Sequence, residues 1–231
     1  MTPRKYSSPL RRAEAERTRL AILDAAAALF SSEGYPATTK KGIAQEAGVS
    51  VQSVHLAGSK AALLVAAFER TFAGDEGRHS LSERPQIAEI MSRSDPEDAV
   101  RGWLDYVAQA NARTAGLVRA MTVAAETDAL AAEAVSDLEA RRRSDIGLAA
   151  GWLVERGMLS GDEIEQATDE LNHLVGPETY AFFVTRSGWH EERYRRWLEV
   201  TLRGLLERWR GALEASPAAR PPRARRAAAP P

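Results

Sequence analysis

A short stretch near the N-terminus carries side chains that can read base pairs. Val51, Gln52 and Ser53 follow one another on one predicted helix. A glutamine can pair bidentately with adenine, and a valine can contact the methyl group of thymine. Lys40 and Lys41 begin the preceding predicted helix, where positive charge opposes the helix dipole. A phosphate nearby would remove that conflict, so these residue types indicate nucleic-acid binding.

The spacing around these residues predicts two short helices joined by a tight turn. Gly48 tolerates a positive φ and can end the first helix, and the Ser50 hydroxyl can cap the second. Ala44 is small enough for the helices to cross closely, and Val54 is directed into their junction. This spacing is typical of a helix-turn-helix, whose second helix lies in the DNA major groove.

Further helices must position this unit. Apolar residues at helical spacing predict a first helix from about Arg12 that ends at Gly34. Thr38 or Thr39 is expected to cap the second helix, and a fourth helix is expected over residues 60–72.

The rest of the chain is predicted to be helical. Asp95-Pro96 is a strong helix start. We expect a helix or helix pair over 115–156, another from Asp162 that Gly176-Pro177 splits or kinks, and a last helix over 191–213. No stretch alternates in the manner of a strand. The fold class is therefore predicted as all-α, with an N-terminal three-helix helix-turn-helix head and a C-terminal helical domain.

Charge is distributed unevenly along the chain. The 231 residues carry a net charge of −1, but residues 1–60 carry nine Lys and Arg against five Asp and Glu. Residues 61–214 carry a net −9, and residues 215–231 a net +4. A basic head on an acidic body would keep phosphate binding at one end, although chance clustering of surface charge gives the same pattern.

Composition also bounds the location and the domains. There is no cysteine, the longest apolar run (61–68) is too short for a bilayer, and no signal-peptide pattern is found, so a cytoplasmic protein without a membrane partner is expected. The predicted domains are a disordered arm over 1–11, a DNA-binding domain over 12–74, a ligand-binding and dimerisation domain over 75–214, and a disordered Ala/Pro/Arg tail over 215–231.

Several motifs between Arg17 and Leu64 occur together. They are Ile22-Leu23-Asp24-Ala25-Ala26, Leu29-Phe30, Gly34-Tyr35, Ala37-Thr38-Thr39, Ile43-Ala44, Ala47-Gly48-Val49-Ser50, Ser59-Lys60 and Leu63-Leu64. In this first third, the chain resembles the DNA-binding head of TetR-family transcriptional regulators. The remainder is similar only in its helical layout.

The resemblance implies a set of residues that bind a double-stranded DNA operator. Its members are Arg17, Thr38, Thr39, Lys40, Lys41, Ser50, Val51, Gln52, Ser53, His55 and Lys60. Phosphate contacts fall to the threonines and lysines, with Arg17 as a further candidate, and His55 stands where a tyrosine usually binds phosphate. The run from His55 to Lys60 is one residue shorter than usual and lacks the phenylalanine that packs the end of the recognition helix; Leu56 is expected to replace it in part.

A single recognition helix covers too little DNA, so helix-turn-helix proteins dimerise and read two half-sites about 34 Å apart. The resemblance implies a homodimer held by a four-helix bundle, two helices from each copy. The expected interface residues are Leu174, Phe182, Trp197, Leu198, Leu202, Leu205 and Trp209. Alternatively, this apolar stripe covers the chain's own core.

The resemblance further implies a pocket for an unknown small-molecule effector. The expected lining residues are Trp103, Tyr106, Met121, Trp152, His173 and Tyr180, although any one of them also suits an ordinary core. Asp169 and His173 share a helix face, which favours a salt bridge over a metal site, because no third ligand is recognisable. No cofactor is expected.

No enzyme motif is present: the sequence has no phosphate-binding glycine loop, no nucleophile elbow and no zinc-binding His-Glu-x-x-His. The function predicted is a TetR-like regulator, a repressor that binds a palindromic operator as a homodimer and is released by a small molecule. The alternative is an all-α small-molecule binding protein whose head has lost specific DNA binding.

Overall fold

The computed structural model describes residues 9–73 and 84–215, and within these ranges the chain is made of helices and turns without strands. The predicted all-α class is confirmed. The first residues of the predicted arm, the domain boundary at 74–75 and the predicted tail beyond Ala215 lie outside the described residues. The limits of the domains therefore stay a prediction.

Four helices make up the N-terminal part. They are α1 (Pro9–Ala37), α2 (Lys40–Glu46), α3 (Val51–Ala57) and α4 (Lys60–Ala73). Helix α1 starts earlier than predicted, at a proline, a residue favoured in the first helical turn. Gly34 interrupts its helical backbone with a φ of 79°, at the position predicted for its end.

The C-terminal part contains six further α-helices among the described residues. They are α5 (Pro85–Met91), α6 (Pro96–Thr127), α7 (Ala129–Glu155), α8 (Ile164–Leu174), α9 (Pro177–Tyr180) and α10 (Glu191–Ala215). A short 3-10 turn (Gly161–Glu163) precedes α8, and a π-helix (Ala181–Arg186) continues α9.

Two helices differ from the prediction. Helix α5 was not expected, although Ile87 and Ile90 give it a buried face. No helix begins near Ala115, because α6 runs unbroken to Thr127. The break comes at Asp128, whose extended backbone ends α6 and whose carboxylate caps α7 by accepting from the Leu130 and Ala131 amides.

The buried side chains form two apolar clusters, and the first is not confined to the head. Leu117, Val118 and Met121 of α6 and Val135 of α7 pack into the cluster that α1–α4 build. The second cluster fills the body, and the ring of Phe72 packs against both. The far end of the α6–α7 hairpin is therefore part of the core of the head.

Across the described ranges, no single helix is both long enough and apolar enough to cross a membrane; only α3 and α4 taken together, bent by 76°, satisfy the length and composition criteria.

Candidate nucleic-acid interface

The turn between α2 and α3 is built by backbone hydrogen bonds around Gly48. Gly48 has a φ of 65°, a conformation that favours glycine. Its amide donates to the Gln45 carbonyl, and the Val49 amide donates to the Ala44 carbonyl. Val54 is buried beneath α3. The predicted helix-turn-helix is present, with the predicted residues at its junction.

Both short helices begin at predicted caps. The Thr39 side-chain oxygen accepts from the Gly42 amide at 3.0 Å, and the Ser50 hydroxyl accepts from the Ser53 amide at 3.0 Å. The hydroxyls of Ser50 and Ser53 also lie 2.9 Å apart and bond to each other. These two serines therefore fix the start of α3. Their hydroxyls are used in bonds within the protein.

The candidate base-reading residues share the exposed side of α3. Gln52 is exposed, and Val51 is 40 % exposed. Leu56, one turn further along, is 81 % exposed. The structure therefore corrects the expectation that Leu56 replaces the missing phenylalanine, because its side chain packs against nothing in the core.

Another residue closes the end of the recognition helix. The Arg19 guanidinium on α1 donates to the Ala57 carbonyl at 3.0 Å, the last residue of α3, before Gly58 turns the chain. A basic side chain near a helix C-terminus satisfies an orphan carbonyl and complements the dipole. This role could not be predicted from the sequence, since nothing in the spacing pairs residue 19 with residue 57.

Several candidate phosphate-binding residues are exposed or lie where α2 contacts α3. Lys40 at the start of α2 brings its ammonium within 3.3 Å of His55 Nδ1 near the end of α3. Lys41 and Arg17 are exposed, as is Thr39. The structure thus joins the start of α2 to the end of α3 through Lys40 and His55 and leaves the other three side chains open to solvent.

Thr38 is placed differently from the prediction. It is 1 % exposed, and its hydroxyl donates to the Gly34 carbonyl at 2.8 Å. Its side chain fastens the connection from α1 to α2 and is withdrawn from the surface. We therefore remove Thr38 from the phosphate-binding set.

Lys60 begins α4 and lies against the aromatic ring of Tyr35. Its ammonium is 4.2 Å from the ring centroid and donates to the Pro36 carbonyl at 3.5 Å. Burial lowers the pKa of Lys60, and the charge of Asp128 acts in the opposite direction. The ammonium is thus held against the segment that leads from α1 into α2.

The predicted effector-pocket residues do not share one cavity. Trp103 and Trp152 line an apolar cavity of about 20 Å³ together with Leu171 and Leu202. The Trp152 indole donates to the Met91 carbonyl at 3.1 Å. This cavity has room for about one water molecule.

The other four candidates are dispersed. Tyr106 is buried with its ring edge-on to Phe72, and Met121 belongs to the cluster of the head. Tyr180 is buried against Tyr194, and His173 is exposed. The prediction that these four residues line one pocket is therefore corrected: three belong to the core, and His173 lies on the surface.

The expected salt bridge between Asp169 and His173 is also corrected. Asp169 instead accepts from the Arg143 guanidinium at 2.8 Å, joining α8 to α7. Arg143 is always charged and is therefore a better partner for Asp169 than His173. The spacing along a single helix could suggest only the histidine.

Most of the predicted dimer-interface residues are covered by the chain itself. Leu174, Leu198, Leu202 and Trp209 are buried in the cluster of the body, so the alternative interpretation holds for them. Trp197 and Leu205 are partly buried on that cluster, and Phe182 is 52 % exposed.

A comparison with protein families identifies the head. Residues 22–67 match the family described as bacterial regulatory proteins, tetR family. These residues run from the middle of α1 into α4 and include the whole helix-turn-helix. Among curated proteins, no sequence matches this chain.

Solved structures share the fold of the whole chain. A proposed TetR-family regulator of Mesorhizobium loti MAFF303099 has a TM-score of 0.61 at 20 % identity, over 84 % of this chain and 96 % of that one. A proposed transcriptional regulator of Pseudomonas aeruginosa PAO1 has a TM-score of 0.60 at 14 % identity, over 89 % and 97 %. At such identities these neighbours show a common fold and nothing further. A match to the tetR family model over residues 22–67, on a body with the same fold as these two structures, makes the chain similar to the TetR family of transcriptional regulators.

Proposed function

We propose that this protein is a repressor that binds a palindromic operator as a homodimer and leaves it when a small molecule binds to the body. The observation that carries the proposal is the shared surface of α2 and α3. Lys40 of α2 contacts His55 of α3, and Gln52, Val51 and Lys41 are exposed on these two helices. Phosphate contacts position a protein on DNA and base contacts supply the sequence preference, and this surface offers groups for both.

The outer side of α10 supports the homodimer. Val200 is 60 % exposed there, one turn from the partly exposed ring of Trp197. Gly204 lies one turn further on, and a Cβ added to it would meet no atom within 4 Å. These residues form a short apolar strip between the exposed Arg196 and Arg203, and a second copy of α10 can cover this strip. The interface is thus proposed on this outer side instead of the buried stripe.

The small apolar cavity supports an effector site in the body. Its walls come from α6, α7, α8 and α10, so a molecule that widened it would move the helices that carry the head and the proposed interface. A ligand shifts such an equilibrium only by its difference in affinity for the two arrangements. The aromatic and aliphatic walls favour an uncharged, apolar effector.

Selection from a pool of random duplexes tests the proposal. The purified full chain is expected to enrich a palindrome whose half-sites are about 34 Å apart, centre to centre. Binding should survive competition by heparin and weaken steeply with salt. A duplex with scrambled half-sites serves as the control.

Enrichment of no sequence, or equal retention on heparin and on every duplex, would contradict the proposal. The protein would then fit the alternative of a small-molecule binding protein whose head no longer recognises a sequence. The exposed Leu56 and the short end of α3 are the features that would explain such a loss.

A further inference from the structure

A tyrosine in the head and an aspartate in the body meet in one short hydrogen bond. The Tyr35 hydroxyl donates to the Asp128 carboxylate at 2.5 Å, across 93 residues of sequence. The Tyr35 ring is buried and stacks on Phe30, with 5.8 Å between ring centroids. The side chain is therefore fixed in the core of the head while its hydroxyl reaches the body.

Asp128 is equally fixed on the body side. One carboxylate oxygen accepts from the Leu130 and Ala131 amides at 2.9 and 3.3 Å, and the other accepts from Tyr35. The hydrogen bond from Tyr35 and these amides lower the pKa of Asp128, so the acceptor stays ionised near neutral pH. The turn between α6 and α7 thus presents a charged acceptor in one orientation.

The position of Tyr35 connects this bond to the DNA-facing surface. Tyr35 lies between the Gly34 break and the start of α2, whose first residues include the exposed Lys41. The ammonium of Lys60 lies over the Tyr35 ring. A shift of Tyr35 would therefore move the start of α2 and the lysine at the start of α4 together.

Three further polar contacts join described residues of α6 and α7 to other points of the head. Arg113 of α6 donates to the carbonyls of Thr71 and Phe72, at the far end of α4. Arg119 donates to the Ser31 carbonyl of α1, and Arg141 pairs with Glu69 of α4. These contacts hold α1 and α4, whereas the bond from Asp128 reaches the connection that leads directly into the helix-turn-helix.

We propose that the hydrogen bond between Tyr35 and Asp128 sets the orientation of each helix-turn-helix on its body, which makes both residues positioning residues for operator recognition. In a dimer this orientation fixes the distance between the two recognition helices. The bond therefore determines which half-site spacing is bound, and contacts within one half-site do not depend on it. The inference rests on the proposed function, since it requires a dimer that binds a palindrome.

The test measures dissociation constants for three duplexes: the palindrome selected by the wild type, the same palindrome with two base pairs inserted between its half-sites, and one half-site alone. Tyr35→Phe removes only the hydroxyl. Asp128→Asn keeps an oxygen for the α7 cap, while its amide nitrogen cannot accept from Tyr35. Each variant is expected to bind the palindrome about tenfold more weakly, as the loss of one hydrogen bond to a charged group predicts.

Two ratios of dissociation constants distinguish a positioning role from a general structural role: variant to wild type on the half-site alone, and lengthened to selected palindrome for each protein. The half-site alone should bind the variants as it binds the wild type, and the penalty for the inserted base pairs should shrink. The double variant should be no weaker than either single variant, because both changes remove the same bond. Glu126→Gln, at an exposed position two residues from Asp128, makes the same change of charge and should leave all three constants at the wild-type ratios.

The remaining outcomes overturn the inference in separable ways. Equal weakening on all three duplexes means that the hydroxyl only stabilises the head. If the dissociation constants of every variant for the three duplexes stand in the same ratios as those of the wild type, the bond does not determine the half-site spacing. If one variant does not fold, as judged by thermal melting, the other decides between these outcomes. A wild type that selects no duplex refutes the proposed function as well.

Discussion

At the scale of the residue, very few side chains of α3 are available to a base pair. Val54 is buried, and the hydroxyls of Ser50 and Ser53 bond to each other. Gln52 is left as the long polar side chain that can pair with a base edge. We therefore expect Gln52 to contribute more to the sequence preference than any other polar side chain of α3.

Replacing Gln52 by alanine should weaken binding to the selected operator by about 1–3 kcal/mol and relax the preference at one base pair of each half-site. Fluorescence anisotropy with matched and single-base-changed duplexes measures both effects. Gln45→Ala is the matched control, an exposed glutamine on α2 that should leave the preference intact. Unchanged preference in the Gln52 variant would remove it from the reading surface.

Two buried tyrosines predict how stability depends on alkaline pH. Burial raises the pKa of Tyr180 and of Tyr194 to about 12, above the ordinary value of 10.0. The unfolded chain then releases these protons near pH 10 while the folded chain holds them. Their contribution is complete below pH 10 and is lost as the pH rises from 10 to 12.

Thermal melting between pH 9 and 12 checks this expectation. Tyr194→Phe keeps the buried ring and removes one titrating group, so its melting temperature should fall less steeply over that range than that of the wild type. Arg143→Ala at an exposed position on α7 provides the control. Parallel curves for Tyr194→Phe and wild type would contradict the assignment.

The roles of some single residues could be predicted from the sequence, and the roles of others could not. The caps Thr39 and Ser50 and the turn glycine Gly48 were predictable, because their roles depend on neighbours within a few positions. The burial of Thr38 and the bond from Arg19 to Ala57 were not, since each depends on how α1 lies against the rest of the head.

At the scale of the element, α1 and α6 pack closely through a small residue. A Cβ added to Gly116 of α6 would lie 2.7 Å from the Ser31 Cβ and 3.1 Å from its Cα on α1. These distances leave no room for a methyl group. The same pair of helices also carries the bond from Arg119 to the Ser31 carbonyl.

Gly116→Ala should therefore force α6 and α1 apart and lower the free energy of unfolding by about 1–3 kcal/mol. Gly151→Ala on α7 is the matched control, because its added Cβ would be 3.9 Å from the nearest atom, the Ile164 Cδ1. The control should gain up to about 1 kcal/mol from helix propensity. Urea denaturation measures the free energy of unfolding of both variants. Equal values would show that α1 and α6 can move apart enough to accommodate the added methyl group at little cost.

The helices themselves were predicted well where the sequence marks their ends. Asp95-Pro96 begins α6, and Gly176-Pro177 separates α8 from α9, as expected. The helix start predicted near Ala115 is wrong, because no capping residue precedes it and the alanine-rich pattern continues through one long helix, α6. The apolar stripe of α10 was recognised, but its partner was not, because amphipathicity does not say whether a helix covers its own core or another copy.

At the scale of the whole molecule, the proposed dimer rests on the exposed side of α10. Val200→Glu would place a charge in an apolar interface and should shift the protein to monomers. Sedimentation equilibrium measures the association. Leu148→Glu is the matched control, since this α7 side chain is 53 % exposed and outside the proposed interface. A Val200 variant that remains dimeric would move the interface elsewhere.

In the proposed dimer each lysine occurs twice, so the salt dependence of DNA binding would be a property of the assembly. Lys41→Ala should reduce the slope of log K against log salt by about two, since each phosphate contact contributes about 0.9 and a dimer loses two. Arg143→Ala, a cation paired with Asp169 between α7 and α8, should leave the slope unchanged. A slope that Lys41→Ala does not alter would place this residue away from the phosphates.

Helix α6 is long enough, about 48 Å at 1.5 Å per residue, to run through both clusters. Its first half closes the body, and its second half supplies Leu117, Val118 and Met121 to the head. Part of the apolar core of the head is therefore supplied by the body. A head truncated after α4 would expose that face to water, so a stable isolated head needs the second half of α6 as well.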